Sequence, residues 1–163
     1  GNREAYRKQL WDLMLKDDAG SVDVYKELRG EYKTEEWVHV REEIFSKLPT
    51  YAAIDQLYKE DELYDKLLDY VVNTPGLYKL QTYESLLKGI YPDALLEKYR
   101  MELRKMAART ANRKQYQEWV RLLKRMLKIK GGSKVVRQIV DEWKVQYKHR
   151  PAMMDELNKL LIP

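Results

Sequence analysis

Large apolar residues recur every three to four positions along almost the whole chain, and Gly, Pro and capping residues cut that rhythm into segments. The pattern is cleanest near the C-terminal end. Over 113–130, Tyr116, Trp119, Val120, Leu123, Met126 and Leu127 fall at i, i+3, i+4, i+7, i+10 and i+11. Over 133–148, Val136, Ile139, Val140, Trp143 and Tyr147 repeat that spacing behind Ser133 as the expected cap.

Upstream, one helix is predicted from about Asn2 to Asp17, stopping at Ala19-Gly20. Ser21 caps a second, with Val24 and Leu28 at i, i+4, ending at Gly30. Thr34 is the expected cap of a third, whose Glu35 and Glu36 suit the helix dipole, and Leu48-Pro49 closes it. Thr50 is expected to open a short helix through Leu57, and Asp61 another that carries Leu63, Leu67 and Tyr70 on one face. Thr74-Pro75 reads as cap plus first-turn proline of a helix running to Leu87 and ended by Gly89. Pro92 begins a long helix to about Arg109. Pro151 begins a final one, whose Met154, Leu157 and Leu161 are expected to cover the open end of the stack.

About ten short helices and no strand-like alternation give an all-α fold. Ten helices are too many for a four-helix bundle. Antiparallel hairpins, stacked as an irregular α-solenoid of TPR or HEAT-like kind or curled into a compact helical-repeat domain, fit better. The hairpin spacing drifts between roughly 27 and 40 residues, so no strict repeat consensus applies. A chain of 163 residues is most simply one domain, 1–163. It opens Gly1-Asn2-Arg3 without methionine, and the expectation is that Gly1 is a processing remnant and the domain is cut from a longer protein.

Composition narrows the chemistry. With 44% hydrophobic and 35% charged residues the chain can fold, and no apolar run approaches the roughly 18 residues of a membrane span. The absence of cysteine removes disulfides, thiol nucleophiles and thiolate zinc sites together, and makes a cytoplasmic setting the expectation.

Charge adds more. Residues 98–150 hold 17 Lys and Arg against 4 Asp and Glu, while the rest of the chain carries 14 basic against 22 acidic residues. Segregation of this kind suits a face for an acidic partner, or one half docking on the other. Lys98, Lys105 and Arg109 share a face of the helix that starts at Pro92. Lys114, Arg121, Arg125 and Lys128 share one on the next, and Lys134, Arg137, Lys144 and Lys148 one on the third. The bland reading is three solvated helix backs. The functional reading is one continuous basic surface for nucleic-acid phosphates. Tyr99, Tyr116, Trp119 and Trp143 lie on the apolar faces, so such contacts would be to backbone, salt-sensitive and weakly sequence-specific.

Catalytic signals are thin. Glu36-Trp37-Val38-His39 is a single E-x-x-H, and the other histidine, His149, sits between Lys148 and Arg150, a poor place for a cation. Adjacent acids such as Asp17-Asp18, Glu35-Glu36, Glu42-Glu43 and Asp61-Glu62 point about 100° apart on a helix and form no dyad by themselves. Gly131-Gly132 is a turn and not a phosphate loop, and no serine stands in a nucleophile elbow. The expectation is a protein with no catalytic residue, no metal and no cofactor.

The closing stretch, Tyr147-Lys148-His149-Arg150-Pro151-Ala152-Met153-Met154-Asp155-Glu156-Leu157, follows Arg109-Thr110 and the Tyr116 helix. Together these resemble the C-terminal helical region of bacterial SWIM zinc-finger proteins and their relatives, over about residues 95–160. The resemblance implies an accessory helical interaction region. In that family the zinc module is the part held to contact nucleic acid or protein. This chain has no cysteine, so no zinc ligand carries over, and the family lends no catalytic residue. The expected function is a non-catalytic helical scaffold for a protein partner or another segment of its own polypeptide. The alternative is nucleic-acid backbone binding through the basic face of 98–150.

Overall fold

The computed structural model describes residues 1–163 and is all-helical. Ten α-helices follow in order: α1 Asn2–Asp12, α2 Val22–Arg29, α3 Thr34–Lys47, α4 Ile54–Glu60, α5 Tyr64–Asn73, α6 Tyr78–Leu87, α7 Pro92–Ala107, α8 Arg113–Met126, α9 Gly132–Gln146 and α10 Pro151–Asn158. They divide into two compact units, Gly1–Leu67 and Leu68–Pro163.

In the first unit α1 passes into a π-helical turn, Leu13–Asp17, in place of the α-helix expected through Asp17. Its core is Leu10, Met14, Tyr25, Leu28, Trp37, Ile44 and Leu57. Tyr25 meets Trp37 edge-on at 5.0 Å, a favoured aromatic geometry. Ser21 caps α2 as expected, its Oγ accepting from the Val24 N–H. The α3 cap is Lys33 and not Thr34, because the Glu36 carboxylate turns back to accept the Lys33 N–H at 3.2 Å. α4 starts at Ile54, four residues after the expected Thr50. Asp61 does not open α5. Its N–H closes the end of α4 on Leu57, and its carboxylate is spent on side chains of α2 and α3.

In the second unit α7, α8 and α9 each pack on the other two, α6 packs on α7, and α10 lies on α8. Leu80, Leu87, Leu95, Tyr99, Leu103, Leu123, Met126, Val136 and Val140 fill it, with Trp119 edge-on to Trp143 at 5.9 Å. The Thr74-Pro75 start is a miss: α6 begins at Tyr78. The Thr74 hydroxyl donates to the Tyr70 carbonyl and finishes α5, and Gly76 at φ +80 turns the chain away. Pro92 and Pro151 do stand in the first turns of α7 and α10. α9 is capped by Gly131 at φ +84 and not by Ser133. Gly132 must be glycine, since a Cβ there would lie 1.9 Å from the Met126 carbonyl oxygen. At the closing helix Met153, Leu157 and Leu160 are buried, in place of the expected Met154, Leu157 and Leu161.

Candidate interaction surface

The two units differ in charge: Gly1–Leu67 holds 11 basic and 16 acidic residues, Leu68–Pro163 holds 20 and 10. The basic residues singled out by the sequence all fall in the second unit, and the structure sorts them.

Lys98 leaves the set. It is 6% exposed, and its Nζ donates to the Thr74 carbonyl at 2.8 Å and to Glu102 at 3.0 Å. Arg125 is half-committed: its Nε donates to Glu84 at 2.9 Å, and Glu84 also accepts the hydroxyl of buried Tyr99. Burial and the Glu84 hydrogen bond together raise the Tyr99 hydroxyl well above its ordinary pKa of 10.0. Burial alone would lower the Arg125 guanidinium, but the Glu84 carboxylate outweighs it and the net shift is upward. This trio joins α6, α7 and α8 and is structural.

The remaining cations are exposed. Lys105 reaches Glu102 at 3.4 Å, Arg121 reaches Glu118 at 4.0 Å, and Arg137 donates to the Pro163 carbonyl at 2.9 Å. Arg109, Lys114, Lys128, Lys134, Lys144 and Lys148 are exposed with no carboxylate oxygen within 4.0 Å. The three helices that carry these residues, α7, α8 and α9, each pack on the other two.

What the sequence reading missed is a cleft beside α7. On that helix Ala94, Lys98, Met101 and Lys105 recur at i, i+4, i+7 and i+11, so they share one face. That face and the end of α5 enclose about 460 Å³, lined by Val72, Pro75, Ala94, Met101, Glu102 and Lys105 among others. Val72 is 38% exposed and Met101 48%. The Lys98–Glu102 ion pair forms the cleft's polar wall, with Lys105 at its edge. Burial pushes the Glu102 carboxyl up, but the hydrogen bonds and charges of Lys98 and Lys105 prevail and hold it below its ordinary value. A second cleft of about 300 Å³ shares Glu102 and Lys105 with the first and continues past Arg109 to Gln115 and Trp119. The two clefts meet at Glu102 and Lys105, with Val72 and Met101 lining the first and Arg109 the second. A detectable signal was the apolar Met101 between Lys98 and Lys105 on one helix face.

The metal reading of the first unit finds little geometry behind it. Glu36 is engaged at the α3 cap, His39 lies exposed one turn on, and no group of three metal-ligating side chains converges anywhere in the chain. No helix is long and apolar enough to cross a membrane. No protein-family model, curated protein or solved structure matches the chain.

Proposed function

We propose that the chain is a non-catalytic helical interaction module that binds a protein partner or another segment of its own polypeptide. The observation that carries this reading is the pairing of Val72 and Met101, two exposed large apolar side chains, in one concave cleft of a strongly basic unit. Exposed apolar side chains gathered in a groove mark docking sites for polypeptide more than for nucleic acid, whose affinity comes from phosphate contacts. The likeness of residues 95–160 to the helical region of SWIM zinc-finger proteins agrees with an accessory interaction role.

Nucleic-acid backbone binding is the second reading, favoured by the unpaired cations Lys114, Lys128, Lys134, Lys144 and Lys148. One comparison separates the two. The 163-residue chain is panned against a display library of random peptides and titrated in parallel with labelled single- and double-stranded nucleic acid. Recovered peptides that bind at micromolar concentration or better, with nucleic-acid affinity absent at near-physiological salt, support the interaction module. No recovered peptide, with nucleic-acid affinity falling about a thousandfold between roughly 50 and 200 mM salt, would transfer the function to the basic stripes.

A further inference from the structure

The two adjoining clefts beside α7, taken together as one channel, are not uniform, and their polarity specifies an occupant. Its apolar end is built from Val72, Pro75, Ala94 and Met101. One turn on, about 6 Å along the helix axis, stands Lys105, and Arg109 follows in the adjoining cleft. The carboxylates nearby are already matched. Glu102 is shared between Lys98 and Lys105, and Glu97 holds Arg100 at 2.7 Å. Arg109 has no partner, so the far end of the channel carries uncompensated positive charge beside an apolar floor.

We propose that this channel docks an amphipathic helix of a protein partner, with its apolar face on Val72 and Met101 and carboxylates one to two turns further along against Lys105 and Arg109. The inference rests on the interaction-module reading and names the chemistry of that module's ligand. Charge complementarity decides the occupant. A basic helix would set like charges against Lys105 and Arg109, and an uncharged one would leave Arg109 unmatched at the rim of the groove. A phosphate backbone would satisfy the basic end but has nothing to place on Met101 and Val72.

The test is a restricted library of amphipathic 18-residue helices whose last two turns are randomised among Glu, Lys and Gln, panned on the full chain. Wild type is expected to enrich Glu over Lys at those turns by about tenfold or more. The double variant Lys105→Glu/Arg109→Glu is expected to reverse that preference. Met101→Glu is expected to lose the recovered binders while keeping the wild-type melting curve, because Met101 is half exposed. Equal enrichment of Glu and Lys, the same preference on wild type and double variant, or binders indifferent to Met101→Glu would each overturn the proposal. So would an empty restricted selection. If the unrestricted library still yields binders in that case, the interaction module stands and this channel is not its docking site. If an oligonucleotide duplex displaces the recovered peptides and its own binding is lost in the Lys105→Glu/Arg109→Glu variant but kept in Met101→Glu, the basic end is a phosphate site and the proposal falls.

Discussion

Asp61→Asn should cost the first unit about 3 kcal/mol, more than any isosteric change at a surface acid could. The Asp61 side chain is 7% exposed and faces donors only. Arg29 Nη1 donates to Oδ1 at 2.5 Å, while the Tyr25 hydroxyl at 2.5 Å and Trp37 Nε1 at 2.7 Å donate to Oδ2. Arg41 adds charge from 3.6 Å. Asparagine keeps the shape but replaces one acceptor oxygen with a donor. Placed toward Arg29, the amide opposes a guanidinium; placed toward Oδ2, it opposes the indole N–H of a buried tryptophan. Losing a charge-assisted bond costs about 1.5–3 kcal/mol, and an orphaned donor adds about 1–3. Arg29 is partly exposed and keeps Glu60 at 3.1 Å, which holds the total near the lower end.

Urea denaturation followed by tryptophan fluorescence and far-UV circular dichroism measures this, and the pH profile gives an independent check. Burial raises the Asp61 pKa, but the hydrogen bonds from Tyr25, Trp37 and Arg29 and the Arg29 charge reverse the sign, leaving it below its ordinary value of 3.8. A depressed folded-state pKa contributes stability above the unfolded value and loses it as pH falls through the folded one. Wild type should therefore weaken steeply below about pH 4, and Asp61→Asn should flatten that part of the profile. A loss under about 1 kcal/mol at neutral pH, or an unchanged acid slope, would refute the assignment of Asp61 as the hub of the unit.

Other substitutions probe the second unit. Gly132→Ala should destabilise by more than about 2 kcal/mol, because its Cβ meets backbone and not a movable side-chain tip; equilibrium unfolding within 0.5 kcal/mol of wild type would contradict the turn geometry. Leu160→Ala should cost about 2–3 kcal/mol at 8% exposure, while Leu161→Ala, at 86%, should stay within about 0.5; the reverse order in thermal melts would mean the closing segment sits in another register. Arg125→Gln should cost about 1–2 kcal/mol by stranding the Glu84 carboxylate against Tyr99, whereas Lys128→Gln should be neutral; equal effects would return Arg125 to the solvated stripe.

Helix existence was legible because apolar periodicity is a local signal: all ten helices overlap a segment the pattern predicts. Their starts were legible only where the cap had no other use. Ser21 caps α2, but Thr74 serves the helix before it and Asp61 serves a side-chain cluster 24 to 36 residues away. Two members of the basic set were misplaced for the same reason. Lys98 and Arg125 look like solvated positions on a helical wheel, yet their partners Thr74 and Glu84 lie 24 and 41 residues upstream, beyond the reach of any periodic argument. The cleft beside α7 needs α5 as its second wall, so only Met101 between Lys98 and Lys105 hinted at it.

The charge imbalance has its own energetic signature, and it bears on function. Twenty basic residues against ten acidic ones leave the second unit at +10, and its carboxylates are largely consumed: Glu84, Glu97, Glu102, Glu118, Glu142, Asp155 and Glu156 each already hold a cation. The surplus cations repel one another, and that repulsion is screened as the Debye length shrinks from about 30 Å at 0.01 M to about 8 Å at 0.15 M salt. Raising salt over this range should therefore slow amide exchange in the second unit's core, at Leu123 and Val140, while the buried Asp61 cluster, shielded from ions, should respond little. An acidic helix in the α7 channel would do locally what salt does globally. Its stabilising effect on those same amides should be largest at low salt and fade as salt rises. Exchange rates that are flat or rise with salt would mean the cations are already neutralised, and would remove the electrostatic basis for an acidic partner.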